Sequence, residues 1–173
     1  MMDARPYLER LAQLSQGKDP LEVQTGTASA IVALIESQPE THLRARPAPG
    51  KWSVVEIIAH LAEDELVASW RYRQMLEHSG CALPGFDQEK WAAYGRYEEW
   101  TSREALDLFR LLRNVNLRML HALTSEQWTN FGEHAERGRV TVRSLAVHMA
   151  GHDLNHLDQI RSLLAGQSVA GQR

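Results

Sequence analysis

Three histidines, His148, His152 and His156, stand four residues apart in the segment that runs from His148 to Ile160. On an α-helix each four-residue step turns only about 40° past a full turn, so the three imidazoles share one stripe. Imidazole is a ligand for divalent cations, and i, i+4 spacing brings two ring nitrogens to one ion. Positions i and i+8 lie about 12 Å apart along the axis and cannot share it. Only one adjacent pair can therefore bind a given ion. Val142, Leu145, Met149, His152, His156, Gln159 and Leu163 follow the three-then-four spacing of a core-facing seam, with His148 beside it. That pattern selects His152 and His156 as the inward pair. One inward histidine is more often a satisfied core residue than a ligand, but two on adjacent turns put a metal site on an equal footing with a structural role. A third ligand must come from another segment.

His60 is the candidate, in Ile57-Ile58-Ala59-His60-Leu61-Ala62-Glu63-Asp64-Glu65. Projected at 100° per residue it falls at the edge of the apolar stripe near Asp64, so periodicity alone describes a boundary residue that is partly exposed. A comparison within the chain adds to it. Ser53 to Ala62 parallels Thr141 to Ala150, with a capping hydroxyl, apolar positions and a histidine at matched offsets. Two helices that begin alike suggest an approximate twofold that would bring His60 toward His152 and His156. Asp64, one turn after His60, could orient a ligand through its second ring nitrogen or take a proton from bound water. Glu65 projects closer to the stripe and is either a general-base candidate or a structural hydrogen-bond acceptor. For both acids the alternative is an exposed helix surface. Asp153 and Asp158 are expected beside the seam in solvent, and His42, His78, His121 and His134 show no ligand spacing and default to surface or structural roles. Three histidines with an open position would activate water, giving a hydrolase of a small ester or amide, or a thiol, giving a transferase.

The elements that must position these groups read as helices. Residues 1 to 18 hold a short helical pattern, Pro6-Tyr7-Leu8 with Leu11 and Leu14, expected to pack across the end of the main body. Bundle helices are predicted over 19 to 38, 53 to 78, 101 to 123 and 141 to 165. Their starts are marked by Asp19-Pro20, Ser53 with Glu56, Thr101 with Glu104, and Thr141. The proline- and glycine-bearing stretch from 39 to 51 is a loop. Residues 79 to 100 are too long for a tight turn and suggest a crossover, so that the second and third helices run the same way. Phe86, Trp91, Tyr94, Tyr97 and Trp100 in that connection either anchor it or line a pocket mouth, with anchoring favoured. The third helix shows an apolar stripe and no inward polar cluster. Four amphipathic helices without strand patterns make an all-α four-helix bundle the expected fold, as one domain over residues 1 to 173.

Composition narrows the function. The chain has 173 residues, 43% of them hydrophobic, enough to bury one core. A net charge of -3 without a basic block gives no footprint for nucleic acid. The one cysteine, Cys81, cannot form an internal disulfide, and no run is apolar and long enough to span a membrane. With no signal-peptide pattern at the N-terminus, a cytoplasmic protein is the default.

In these residues the chain resembles the DinB-like family of bacterial four-helix proteins, related to the bacillithiol and mycothiol S-transferases. The resemblance rests on KWSVVEIIAHLAEDE, FDQEKWAAYGRYEEW, HAERGRVTVRSL and HMAGHDLNHLDQI, in family order over roughly residues 25 to 165. It implies an up-down-down-up bundle, a small-molecule substrate and a homodimer. It also implies a divalent metal held by His60, His152 and His156, with Gln159-Ile160 fixing the register. Imidazole suits zinc and nickel, and manganese occurs in some members. Kinship favours thiol S-transfer with a low-molecular-weight thiol. Metal-dependent hydrolysis stands second, and a non-enzymatic dimeric metal-binding or stress protein third.

Overall fold

Asp19 accepts hydrogen bonds from the backbone N–H groups of Leu21 (2.7 Å) and Glu22 (3.2 Å), and Pro20 supplies a first helical position that needs no donor. The helix that follows, Pro20–Ile35, is α2 in a computed structural model that describes residues 5–170. The first four residues of the expected extension and the last three of the polar tail lie outside it. Before α2 stands α1 (Arg5–Ser15). After it come α3 (Glu40–Leu43), α4 (Val54–Glu77), α5 (Gln88–Tyr94), α6 (Ser102–His121) and α7 (Val142–Ala170). Reciprocal capping boxes start α4, between Ser53 and Glu56, and α6, between Thr101 and Glu104. Thr141 and Ser144 exchange the equivalent pair of bonds at the start of α7.

The four long helices form the bundle, and their cross-contacts give its directions. Gln24 and Thr27 of α2 meet Ala146 and Asp153 of α7 in the same order, so these two are parallel. Leu106 and Phe109 of α6 share an apolar cluster with the first half of α4, whereas Leu120 joins Tyr72 and Met75 near its end; α4 and α6 are parallel as well. His60 of α4 lies beside His152 and His156 of α7, while Tyr72 and Met75 cluster with Val142 and Leu145, so α4 and α7 run in opposite senses. The result is the up-down-down-up arrangement that the long 79 to 100 connection implies. No helix among the described residues is long and apolar enough to cross a membrane.

The 39 to 51 stretch, expected as a loop, holds the one-turn helix α3, and four further expectations change. A three-stranded sheet, β1 (Cys81–Leu83), β2 (Phe131–His134) and β3 (Gly138–Thr141), joins the two long connections. β1 is parallel to β2, and β2 is antiparallel to β3. Strands of three or four residues are too short to print an alternating pattern. Residues 135 to 137 form the hairpin tip, and Gly138 follows at φ +67, the left-handed position that such a three-residue loop requires. Second, α1 does not cap the end of the bundle but lies along the middle of α7. A Cβ on Gly151 would stand 2.3 Å from the Leu11 carbonyl oxygen. Third, α6 carries a buried polar pair, Arg113 and Asn116. Fourth, Asp153 is fully buried, because Arg113 and Thr27 reach it from α6 and α2.

Candidate metal centre

The Ser53 cap sets the start of α4, and His60 follows seven residues later at a position facing α7. Trp52, the residue before the cap, packs its ring 4.9 Å from the His60 ring and seals the helix edge that periodicity left open. His60 is therefore buried. Across from it the i, i+4 pair of α7 presents both imidazoles to the same point. His152 Nε2 lies 3.2 Å from His60 Nε2 and 3.1 Å from His156 Nε2. Among the described residues these three form the one group of metal-ligating side chains whose ligand atoms all fall within 4.8 Å of one another.

The donor set fits a cation. Burial pushes His60 and His156 down to about 4 and His152 well below the ordinary imidazole value, so all three rings are neutral near pH 7. His156 Nδ1 faces Gln159 Oε1 at 2.8 Å, an acceptor that assigns the ring proton to Nδ1 and leaves the Nε2 lone pair pointing inward. A single proton at His152 Nε2 satisfies at best one of its two close contacts, whereas one cation satisfies three lone pairs together. Four-coordinate zinc with bonds of about 2.05 Å would separate its ligand nitrogens by about 3.3 Å, close to the spacings here. His152 Nδ1 is buried and without a hydrogen-bond partner.

Asp64 stands beside the three rings, on the side where their Nε2 atoms converge. Its Oδ2 lies 3.2 Å from His152 Nε2 and 3.6 Å from His60 Nε2. The carboxylate thus faces the converging nitrogens themselves, and it does not orient a ligand through the second ring nitrogen. Burial pushes Asp64 up to about 7, partly offset by Arg71 and Arg137. Glu65, the next residue, turns the other way: no hydrogen bond or ion pair joins it to the histidines. Asn116 Nδ2 donates to Glu65 Oε2 at 2.9 Å and Arg113 Nη2 lies 2.9 Å from Oε1. Of its two expected roles, this is the geometry of the structural acceptor. His148 stacks beside His152 with ring centroids 6.2 Å apart and stays outside the cluster.

A cavity of about 880 Å³ opens on the Asp64 and His152 face of the centre, and a smaller one of about 360 Å³ reaches His156 from the other side. Tyr7 and Gln88 line both. The larger also receives Arg71 from α4, His134 and Arg137 from the sheet end, and Phe86 from the connection. Arg71 and Arg137 were not anticipated, and Phe86 takes the less favoured of its two expected roles. His134 is buried at the cavity and not a surface residue, because β2 carries it there. Phe86 lines the pocket, whereas Tyr97 anchors the connection by donating to Glu63 Oε2 of α4 (2.7 Å) and Trp100 by packing against the apolar core, its ring N–H bonded within the connection to the Gly95 carbonyl (2.8 Å). The signal for α1 was Gly151, a glycine inside a helical pattern, which marks a close backbone approach.

The comparisons agree with this architecture. Two proteins of Oceanobacillus iheyensis, each named a "putative metal-dependent hydrolase", are similar to the chain. One is 28% identical over 122 residues, covering 69% of this chain and 68% of its own; the other is 24% identical over 135 residues, covering 78% and 76%. Among solved structures, YfiT from Bacillus subtilis, titled "a probable metal-dependent hydrolase with an unusual four-helix bundle topology", superposes with a TM-score of 0.79 at 18% identity over 86% of each chain. The DinB superfamily profile matches residues 25–160, which include every residue of the histidine cluster and Asp64, and the chain belongs to that superfamily.

Proposed function

We propose that the chain is a divalent-metal-dependent hydrolase of a small ester or amide, with His60, His152 and His156 as ligands and Asp64 as the proton carrier. The observation that carries this reading is Asp64 Oδ2, 3.2 Å from His152 Nε2 on the cavity side of the centre. When bound, a divalent cation supplies Lewis acidity, which eases ionisation of a water and polarises a carbonyl. Asp64 Oδ2 accepts the proton of the attacking water as the new C–O bond forms, then returns it to the leaving oxygen or nitrogen as the acyl bond breaks. The three imidazoles stay neutral and hold their orientation, His156 through Gln159. Tyr7, Leu145 and Met149 line the cavity and limit bulk water around the reacting atoms. Zinc or nickel suits three imidazoles, and manganese is accommodated if Asp64 also binds.

Thiol transfer is the second reading. It uses the same residues, with Asp64 accepting the thiol proton, and the volume of the larger cavity supports it, since both a low-molecular-weight thiol and an acceptor need room. A cytoplasmic homodimer accords with either; Leu66, Trp70 and Leu111 are exposed apolar residues on the long helices.

Metal analysis of untagged protein beside His152→Ala and His156→Ala comes first, followed by ester, amide and thiol-transfer assays. Near-stoichiometric metal lost in both variants is expected. Asp64→Asn should keep the metal and lose about 10²- to 10⁴-fold in turnover. Wild-type protein that takes up no zinc, nickel or manganese overturns the reading, and thiol transfer without hydrolysis selects the second one.

A further inference from the structure

Arg71 and His134 lie at the cavity end opposite the histidine cluster, and their hydrogen-bond bookkeeping does not close. The Glu136 backbone N–H points at His134 Nδ1 at 3.2 Å. A backbone N–H only donates, so Nδ1 is the acceptor and the ring proton sits on Nε2. Yet Arg71 Nη2, which also only donates, lies 3.3 Å from that Nε2. Two donors face each other: one Nη2 hydrogen goes to the Pro84 carbonyl, and the other, like the His134 Nε2 proton, finds no acceptor among the described residues. Arg71 is 7% exposed; it gives one bond to the Pro84 carbonyl (2.9 Å), and its Nε is buried without a partner. A guanidinium in that state lacks the acceptors that ordinarily accompany its burial.

A second cation stands beside it. Arg137, at the tip of the β2–β3 hairpin, lines the same cavity; burial lowers the pKa of both guanidinium groups, and the charge of Arg137 lowers that of Arg71 further. Neither makes an ion pair with a carboxylate among the described residues. Asp64 attracts both but is engaged at the histidines, and Glu136 lies exposed on the rim. Val67, Leu145, Met149 and Phe86 line the cavity together with His148, whose ring stacks beside His152, and Arg71 rests 5.9 Å from the Phe86 ring centroid. Asp64 and Arg71 are seven residues apart on α4, about 10 Å along the axis.

We propose that Arg71, Arg137 and His134 form an oxyanion-binding subsite, so that the substrate is anionic and carries a carboxylate or phosphate about 10 Å from its scissile bond. An anionic oxygen between Arg71 Nη2 and His134 Nε2 gives both donors their acceptor, and Arg137 closes on a second oxygen from the hairpin. The subsite rests on the hydrolase reading for its place beside a reacting centre, but its own chemistry needs no metal.

The test is a titration of the full-length protein, as purified and after chelation, with methyl phosphate, acetate and neutral acetamide, followed by NMR of the arginine Nε–H signals at low salt. Methyl phosphate or acetate should shift the Arg71 signal in both preparations, and the tighter of the two names the group. Arg137→Gln, at a half-buried position of the hairpin tip, should weaken that binding about tenfold or more, and Arg71→Gln should remove it. Should Arg71→Gln fail to fold, Arg137→Gln alone decides. Acetamide binding as well as acetate, binding unchanged in Arg137→Gln, or binding lost on chelation would overturn the subsite. Metal content is read on the same samples: metal without an anion response sinks this inference and leaves the metal reading standing, and an anion response without metal does the reverse.

Discussion

Arg113 holds Asp153 in a two-pronged grip, Nη1 to Oδ2 at 2.6 Å and Nη2 to Oδ1 at 2.9 Å, with both side chains buried. The partners extend to every bundle helix. Thr27 Oγ1 donates to Asp153 (2.7 Å), Arg113 Nη1 donates to the Gln24 carbonyl (2.8 Å), and Glu65 pairs with Arg113 from α4. Asp153 follows His152 and Glu65 follows Asp64. On both α4 and α7, then, one residue faces the histidine centre and the next faces the arginine, which fixes the rotation of each helix about its own axis. Burial alone would lower the Arg113 pKa, but Asp153 and Glu65 raise it, so the guanidinium stays charged.

Removing that charge leaves two buried carboxylates uncompensated. Arg113→Met should therefore cost about 3–5 kcal/mol of unfolding free energy. Arg113→Lys should recover only part of it, because a point charge cannot replace the fork. Urea denaturation of the three proteins measures this, and an Arg113→Met variant as stable as wild type would show that the network does not hold the helices.

Gln159 acts on the centre through His156 alone. Gln159→Leu removes the acceptor for His156 Nδ1–H, leaving a polar atom unpaired and the ring free to change tautomer. Zinc affinity should fall about 10- to 100-fold with little change in the fold. Competition against a chromophoric chelator reads the loss; equal affinities would mean that packing alone orients the ring.

The His152 and His156 pair was legible in the chain because both their spacing and their place on an apolar seam are local properties of one helix. His60 was harder: its burial comes from Trp52 and from α7, neither of which enters a projection of its own helix. Asp153 and Arg113 were misjudged for the same reason, since each looks exposed until its partner forty residues away is in place. The bundle itself was readable from four capped apolar stripes. The sheet was not, because three- and four-residue strands carry too few positions for a period, and with it went Arg137 and His134, which line the cavity only because β2 and β3 bring them there.

Acid should act on the start of α4 in a predictable sense. Burial pushes Glu56 up, but hydrogen bonds from Arg46 Nε (2.9 Å) and the Ser53 backbone N–H (2.8 Å) outweigh it and hold the carboxyl below its ordinary value of 4.5. A folded pKa below the unfolded one means that the stabilisation is present above about pH 4.5 and is lost as pH falls through the folded value. Glu56→Gln should be less stable than wild type by about 1 kcal/mol at pH 7, the usual scale of a cap. That gap should close as pH drops below about 4.5. Thermal melts from pH 7 to pH 3 check this, and a gap independent of pH would remove the carboxylate from the account.

Gly151 tests how α1 is held beside the centre. Its φ is ordinary helix, so alanine is strained not by backbone conformation but by space. The added Cβ would stand 2.3 Å from the Leu11 carbonyl oxygen and 2.9 Å from the carbonyl carbon, both backbone atoms that cannot swing aside. Either α1 moves away from α7 or the contact is compressed, at about 1–3 kcal/mol. Since Leu11 is buried in that contact and Tyr7, one turn earlier, lines both cavities, the displacement would open the histidine centre to solvent without touching a ligand. Gly151→Ala should therefore lower the melting temperature, speed amide exchange in residues 5 to 15, and leave metal stoichiometry intact. Unchanged exchange in that helix would mean that α1 tolerates the methyl and is not pinned at Leu11.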